Sequence, residues 1–444
     1  DRFRSGWVIA CVLVWLGALL GAGPLVADPV LAGRILNPVT SAEPVAGTRD
    51  PAVSGDGRFI FFVSTSNNLG PMANGALNLY RADTSAATPP ELSLVLALSG
   101  LGNGNCFAPS ASNSGTVVAF ETLATNLGGT QGNFSDIYAS FQIALPQNEV
   151  GFDTLLVSRG LGGVAPNGAS RYASTSGDGR FVAFWSDASN LIANDSNSAP
   201  DIFIVNVDGG QLGPTERISV DSNEVQIAGW SRALSNHAVS GDGRYVVFAA
   251  DATLDGANSG TIEDVYLRDR TAGTTTLLSR FSNGTPFNAA ADQPSISPNA
   301  RYVAFRSFQT GAGIGPSRIF LRDRQSNTTT SIPAPPTTAA CAEPRVSDDA
   351  DIAMNCASSL VGVSQQVWFR RGSDGAFFRL SSTPGNADGN GASGTVIDLS
   401  DSGDVVVFDS AASNLDPGDG NSSQDVFVGI EESVLYAIFS DGFE

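Results

Sequence analysis

The sequence contains no lysine, so all 24 of its basic residues are arginine. That absence excludes the P-loop lysine, the Schiff-base lysine and the Ser–Lys dyad together. Histidine occurs once, at His237, and cysteine four times. This supply argues against a structural zinc site, which draws on several such ligands. Charged residues make up only 15% of the chain, and acids exceed bases to give a net charge of −20. Such a chain repels nucleic acid and anionic membranes and suits cations. What is abundant is glycine, with 49 residues, and proline, with 23, beside 42% hydrophobic residues. That mixture belongs to many short strands and tight turns, not to long surface helices.

The N-terminus reads as a targeting segment. Arg2 and Arg4 precede the apolar run WVIACVLVWLGALLGAGPLVA, which ends in the small-residue pattern Leu25-Val26-Ala27; Val30-Leu31-Ala32 is a second cleavage option. We expect residues 1–32 to be an export signal that is removed. The alternative is a retained anchor, since the run has the roughly 20 residues needed to span a bilayer. Export places the protein in the periplasm or outside the cell, most naturally of a Gram-negative bacterium, where disulfides form. Cys341 and Cys356 lie symmetrically about the turn at Asp348-Asp349; on a hairpin they would face each other within bridging reach. Cys106 is then expected to be a buried thiol.

Beyond the signal the chain repeats itself. Aligned on the serine before a Gly/Asp/Asn-rich turn, the anchors are Ser54, Ser112, Ser176, Ser240, Ser297, Ser347 and Ser400, spaced 58, 64, 64, 57, 50 and 53 residues apart. Each unit opens with a segment such as PAVS, PSAS or PSIS. A turn follows, GDG in the first, third and fourth units, with residues that tolerate positive φ. An apolar strand comes next (RFIFFVS, RFVAFWS, RYVVFAA), with little alternation, as in a strand buried on both faces. After a polar loop of varied length, a second strand begins with an acid or amide and an aromatic pair (NLYRAD, DIFIVN, DVYLRD). A run such as LLSR or ERISV completes the unit. Four short strands repeated seven times predict an all-β fold, a single seven-bladed β-propeller over residues 33–430, with a short tail at 431–444. Closure of the ring protects strand edges. Gly33-Arg34-Ile35-Leu36 matches the fourth strand of other units, so the N-terminal strand should complete the last blade; VLYAIF at 434–439 is the alternative.

The pattern Pro-x-Ile/Val-Ser-x-Asp-Gly-Arg-Tyr/Phe-Val-x-Phe-x-Ser, best preserved at 51–64, 173–186, 237–250 and 294–307, resembles the repeat of TolB-type propellers and of the propellers in prolyl-oligopeptidase-like enzymes. The resemblance implies the blade, not an activity. It weakens at 344–357, where Asp351 stands at the arginine position and Asn355 interrupts the strand. No nucleophile elbow stands outside the repeats, and no region is left for a hydrolase domain. The closing IFSDGFE resembles a tail found on exported proteins of some Gram-negative bacteria.

Three groups of residues bear on chemistry. The turn aspartates Asp56, Asp178 and Asp242 recur at one place in each unit and are expected to form the turn, with Arg58, Arg180, Arg244 and Arg301 pairing with acids nearby. The loops before the third strands gather hard oxygen ligands: Asp416, Asp419, Asn421 and Asp425; Asn194, Asp195, Asn197 and Asp201; Asp251, Asp255, Asn258 and Asp264. Such sets suit Ca²⁺, with 416–425 the best candidate, although the spacing is not that of an EF-hand; solvated loops whose last aspartate caps a strand are the alternative. His237 stands alone and reads as a packed residue, not a base. The expectation is an exported, monomeric, non-catalytic binding or scaffold module. It would carry a protein or glycan ligand on one propeller face, bind no nucleic acid, and leave the membrane once the signal is cut. A glycan lyase or glycosidase using carboxylates in the central funnel is the alternative.

Overall fold

The apolar second strand of each unit carries two aromatic or branched residues whose faces need cover, and the third strand supplies it. In the computed structural model, which describes residues 30–35, 43–69, 74–85, 91–95, 101–130, 133–144, 150–227, 231, 235, 237–256, 262–311, 318–358, 365–421 and 423–430, the two strands pair antiparallel in every blade. Residues 1–29, most of the segment expected to be an export signal, and the tail at 431–444 lie outside the described residues.

Strand β1 (Val30–Arg34) comes first in the chain and last in the ring. Blade 1 is β2 (Arg49–Val53), β3 (Phe59–Ser64), β4 (Asn78–Asp83) and β5 (Glu91–Leu94). Blade 2 is β6 (Cys106–Ala111), β7 (Val117–Thr122), β8 (Asp136–Ala144) and β9 (Val150–Leu156). Blade 3 is β10 (Ser170–Thr175), β11 (Phe181–Ser186), β12 (Asp201–Asn206) and β13 (Thr215–Arg217). Blade 4 is β14 (Tyr245–Ala250), β15 (Asp264–Asp269) and β16 (Thr274–Leu277); its innermost segment touches β14 through the bridges Ser231–Ala250 and Val239–Val246. Blade 5 is β17 (Ala291–Ile296), β18 (Tyr302–Ser307), β19 (Ile319–Asp323) and β20 (Thr328–Ser331). Blade 6 is β21 (Thr338–Val346), β22 (Ile352–Ser358), β23 (Gln366–Arg370) and β24 (Phe377–Arg379). Blade 7 is β25 (Ser393–Leu399), β26 (Val405–Ser410), β27 (Asp425–Ile430) and, returning from the start of the chain, β1.

The N-terminal strand therefore closes the ring. Arg34 pairs with Phe427 and Val30 with Ile430 in an antiparallel register, and Ile35 N–H donates to Val426 O at 3.1 Å. First strands of successive blades pack on one another, and β25 packs back on β2.

The aromatic at the end of each apolar run now has a reason. It sits directly opposite an aromatic of the third strand and stacks on it: Phe62 on Tyr80 at 5.6 Å, Phe120 on Tyr138 at 6.3 Å, Phe248 on Tyr266 at 5.9 Å, Phe408 on Phe427 at 5.8 Å. These rings are almost wholly buried, so each cross-strand pair adds a specific contact of about 0.5–1.5 kcal/mol to its burial. In blade 6 the positions hold Met354 and Trp368 instead, and there Cys341 and Cys356, direct register partners, form a disulfide. Cys106 is a buried free thiol that burial pushes up to about 11.

Candidate functional site

A four-stranded blade puts the turns after its first and third strands at one end of the ring. The connections after its second and fourth strands emerge at the other. The two ends differ in kind.

The turn end is closed. In each SGDG-type turn the serine and aspartate fold back on the backbone: Ser54 Oγ donates to Asp56 Oδ1 at 2.5 Å, Arg58 N–H to the same oxygen at 3.0 Å, and Phe59 N–H to Ser54 Oγ at 2.8 Å. Asp178 and Asp242 are bound in the same way, which makes the turn aspartates structural. The turns are also linked to one another. Asp56 N–H donates to Asn113 O, Asn113 N–H to Gly177 O, Asp178 N–H to Gly241 O and Gly241 N–H to Pro298 O, at 2.7–2.9 Å. Asn299 N–H donates to Asp348 Oδ1 at 2.8 Å, Asp348 N–H to Asp401 O and Asp401 N–H to Gly55 O, both at 2.9 Å. Each blade donates to the next, and the circle is complete. Where blade 7 meets blade 1 the residue after the serine has to be glycine: a Cβ on Gly55 would lie 2.4 Å from Asp401 Oδ2.

A second tier lies just above. Ser110 Oγ accepts from Thr175 N–H and Ser174 Oγ from Ala238 N–H, both at 2.9 Å, and Ser295 Oγ from Val346 N–H at 3.3 Å. At the joint between the last and first blades the serine is replaced by Asp398, whose Oδ2 accepts from Val53 N–H at 2.9 Å. Its other oxygen lies 2.5 Å from Nε2 of His237, which reaches across the channel from blade 4. The space beside this bridge is a cavity of about 30 Å³ lined by Gly55, Asn113, Gly177, Gly241, Pro298 and Asp401. That is room for about two water molecules, not for a substrate. Burial there pushes the Asp401 carboxyl up to about 6, against the pull of His237.

The recurring arginines pair within their own blades. Arg58 forks onto Asp83, Arg180 meets Asp208, Arg244 forks onto Asp269 and Arg301 onto Asp323, with shortest contacts of 2.6–3.0 Å. Hydrogen bonds from these guanidinium groups hold Asp269 and Asp323 down to about 2.

The acidic loops are arranged around fourth-strand arginines. Arg34 of β1, its side chain 3% exposed, lies 2.6 Å from Asp416, 2.8 Å from Glu43, 3.0 Å from Asp425 and 3.8 Å from Asp419. Asn421 turns away and donates to Pro44 O at 2.8 Å. In blade 3 Arg217 lies 3.2 Å from Asp195 and 3.3 Å from Asp201, and Asn197 donates to Asp201 at 3.3 Å. In blade 4 Arg280 meets Asp255 at 2.7 Å. The aspartate that opens the third strand accepts from the serine two residues past the fourth, Ser219 to Asp201 and Ser279 to Asp264, both at 2.6 Å. Asn194 has positive φ, and Asn258 lies outside the described residues. Among the described residues no group of three or more His, Cys, Asp or Glu side chains is shaped to hold a metal ion. The loop at 416–425 brings Asp416, Asp419 and Asp425 together as the sequence suggests, but around a guanidinium that the loop sequence alone does not reveal.

The loop end is open and braced. Asn167 Nδ2 donates to Ser189 Oγ and Ser189 N–H returns to Asn167 Oδ1, both at 2.9 Å, while Asn190 Nδ2 donates to Ala165 O at 2.8 Å. The same clasp joins Asn103 to Thr125 and Asn126, and Asn390 to Ser413 and Asn414, while Asn126 and Asn414 donate to Leu101 O and Asp388 O. Its signal is in the sequence, as Asn-Gly before a first strand and Ala-Ser/Thr-Asn-Leu after a second, and the strand-centred alignment passes over it. First strands enter the channel through a bulge. Asp50, Ala108, Tyr172, Gln293 and Glu343, each four residues before the anchor serine, have φ of 45–56°. Around the mouth, burial pushes Asp409 up to about 6 and raises Asp50 and Glu121, and the Asp50 charge acts on both of the others. Eight large apolar side chains are exposed among the described residues: Val45, Leu123, Phe134, Leu161, Val164, Tyr172, Val225 and Phe308. All eight lie on connections after second or fourth strands, or in a bulge.

No family model matches the chain, and no curated protein does. Among solved structures, an oligogalacturonate lyase from Vibrio parahaemolyticus is 12% identical with a TM-score of 0.50, covering 91% of this chain and 98% of its own. The β-propeller domain of the Trilobed protease from Pyrococcus furiosus is 10% identical with a TM-score of 0.49, covering 86% and 95%. A TolB from Agrobacterium tumefaciens is 17% identical with a TM-score of 0.37, covering 64% and 79%. The fold is that of a seven-bladed β-propeller. At these identities the likeness is one of fold, and the chemistry of this propeller rests on its own residues. Among the described residues, no helix is long and apolar enough to cross a membrane.

Proposed function

We propose that the propeller is an exported, non-catalytic binding module that presents its loop face to a protein or glycan ligand. The observation that carries this reading is the gathering of five of the eight exposed large apolar side chains, Leu123, Phe134, Leu161, Val164 and Tyr172, on that face at blades 2 and 3. Exposed apolar surface of this kind marks interaction sites. The turn face is laced by Arg–Asp forks, and its cavity is too small for a substrate. The asparagine clasps hold the loops in place before a ligand arrives, which lowers the entropy cost of binding. The test is an array of glycans and peptides probed with the wild type, with Phe134→Ser/Tyr172→Ser, and with the turn-face variant Arg180→Ser/Asp208→Ser. Loss of signal in the first variant and retention in the second supports the reading. The opposite pattern ends it.

A second reading, a glycan-cleaving enzyme, is favoured by the raised carboxyls of Asp409, Asp50 and Glu121 around one mouth, since such shifts gather at catalytic sites. Release of reducing ends or unsaturated product from oligosaccharides, abolished by Glu121→Gln, would establish it. A Ca²⁺ ion at Asp416, Asp419 and Asp425 remains part of the proposal as a stabiliser, in competition with Arg34 for the same carboxylates.

A further inference from the structure

We infer that the loop-face partner is a cationic protein segment, bearing arginine or lysine beside apolar residues, which docks where blades 2 and 3 meet. This rests on the binding-module reading above and narrows it to one class of ligand.

Five of the eight exposed large apolar side chains belong to this one sector: Leu123 and Phe134 between β7 and β8, Leu161 and Val164 between β9 and β10, and Tyr172 in the bulge of β10. Hydrogen bonds hold these segments against one another and against the loop after β11. Ser170 N–H donates to Ser135 O at 2.8 Å, Ser135 Oγ to Ser170 O at 3.1 Å, and Leu161 N–H to Asn190 O at 2.7 Å. Tyr172 stands edge-to-face against Trp185 at 6.2 Å and is 42% exposed, so an aromatic face is open to a ligand cation.

The charge around the patch has one sign in excess. Glu121, Asp187 and, one blade back, Asp50 are all held above their ordinary range, chiefly because burial strips away the water that would solvate them. Arg171 is the guanidinium that acts on both Glu121 and Asp187, at 3.9 Å from Glu121, with its side chain 49% exposed. Arg49 acts on Asp50. The Asp50 charge also raises Glu121 and Asp409. A cation brought by a partner would relieve that repulsion, whereas a uronic-acid glycan would add to it. The net charge of −20 steers the same class of partner towards the protein.

The probe is a labelled peptide of alternating arginine and leucine, titrated into the full protein by fluorescence anisotropy at about 50 and about 300 mM salt. We expect Tyr172→Ser and Glu121→Gln/Asp187→Asn each to weaken binding by roughly tenfold, with the salt dependence reduced in the carboxyl variant. Asp374→Asn removes an exposed acid of the turn face and should leave binding unchanged. Equal losses in Asp374→Asn and Glu121→Gln/Asp187→Asn would reduce the effect to bulk charge and overturn the inference. Tyr172-dependent binding of trigalacturonate in place of the peptide would overturn the cationic class while leaving the loop-face module standing. Binding of any probe that Phe134→Ser/Tyr172→Ser leaves intact and Arg180→Ser/Asp208→Ser abolishes would overturn both. Thermal midpoints near the wild type for each variant separate these outcomes from misfolding.

Discussion

Removing the histidine is the sharpest probe of ring closure. His237→Ala deletes the imidazole that reaches from blade 4 to Asp398 in blade 7, leaving a carboxylate 2% exposed with two backbone donors, Val53 N–H at 2.9 Å and Leu399 N–H at 3.0 Å, and no imidazole beside it. Breaking a fully buried pair costs roughly 3–5 kcal/mol. The imidazole is 17% exposed and the backbone bonds survive, so the expected loss is lower, about 2 kcal/mol. Asp398→Ser installs the residue that Ser110, Ser174 and Ser295 use at the same joint, so it restores a neutral acceptor for Val53 N–H. The double variant should therefore recover most of the loss, with a coupling energy of about 1–2 kcal/mol. Equilibrium unfolding in urea of the four proteins at one pH reads this directly, as midpoint shifts at constant slope. Additivity within about 0.5 kcal/mol would refute the cross-channel strut, because residues that do not interact add.

Three further outcomes follow from the same geometry. The carboxyls of Asp401, Asp409 and Asp425 are each raised to about 6, mainly by burial, so the folded state binds more protons than the unfolded one. Their contribution is fully present below the ordinary carboxyl range and is lost as pH rises through about 6. The thermal midpoint should fall between pH 4.5 and pH 7.5 and flatten in Asp401→Asn and Asp409→Asn. Arg34→Ala removes the cation shared by Asp416, Asp425 and Glu43 and should cost roughly 3 kcal/mol by urea unfolding. If the loop can hold Ca²⁺, that variant, freed of its guanidinium, gains in midpoint on calcium addition after EDTA treatment; no response in either protein ends the calcium reading. Gly55→Ala drives a Cβ to 2.4 Å from Asp401 Oδ2 and should destabilise by about 1–3 kcal/mol in the same assay, whereas Gly256→Ala, with open space around it but positive φ, should cost about 1 kcal/mol.

The fold was legible because the blade is a local object. Its turn, its apolar strand and its acid–aromatic strand each announce themselves within a few residues, and RFVAFWS or DIFIVN needs no distant partner to be read. Closure by Gly33-Arg34 was legible too, since β1 carries the same short motif as the other fourth strands. The site was legible only where its chemistry is local. Asp416, Asp419 and Asp425 do come together, yet the cation between them arrives from 382 residues away in sequence, at Arg34. A lone His237 reads as packing until the ring sets Asp398 opposite it. The mouth acids Asp50, Glu121 and Asp409 occupy ordinary strand positions in three separate units, and only circular symmetry makes them neighbours. The asparagine clasp lay in plain view, but its halves fall in the loops that an alignment on strands discards.

The account stands most directly on which face a ligand covers. Hydrogen exchange of the propeller with and without the strongest array ligand reads that face peptide by peptide. Protection concentrated in residues 123–135 and 161–172, with the turns at 54–58, 176–180 and 240–244 unchanged, is the predicted footprint. Protection of those turns, with the loop segments exchanging as before, would contradict it.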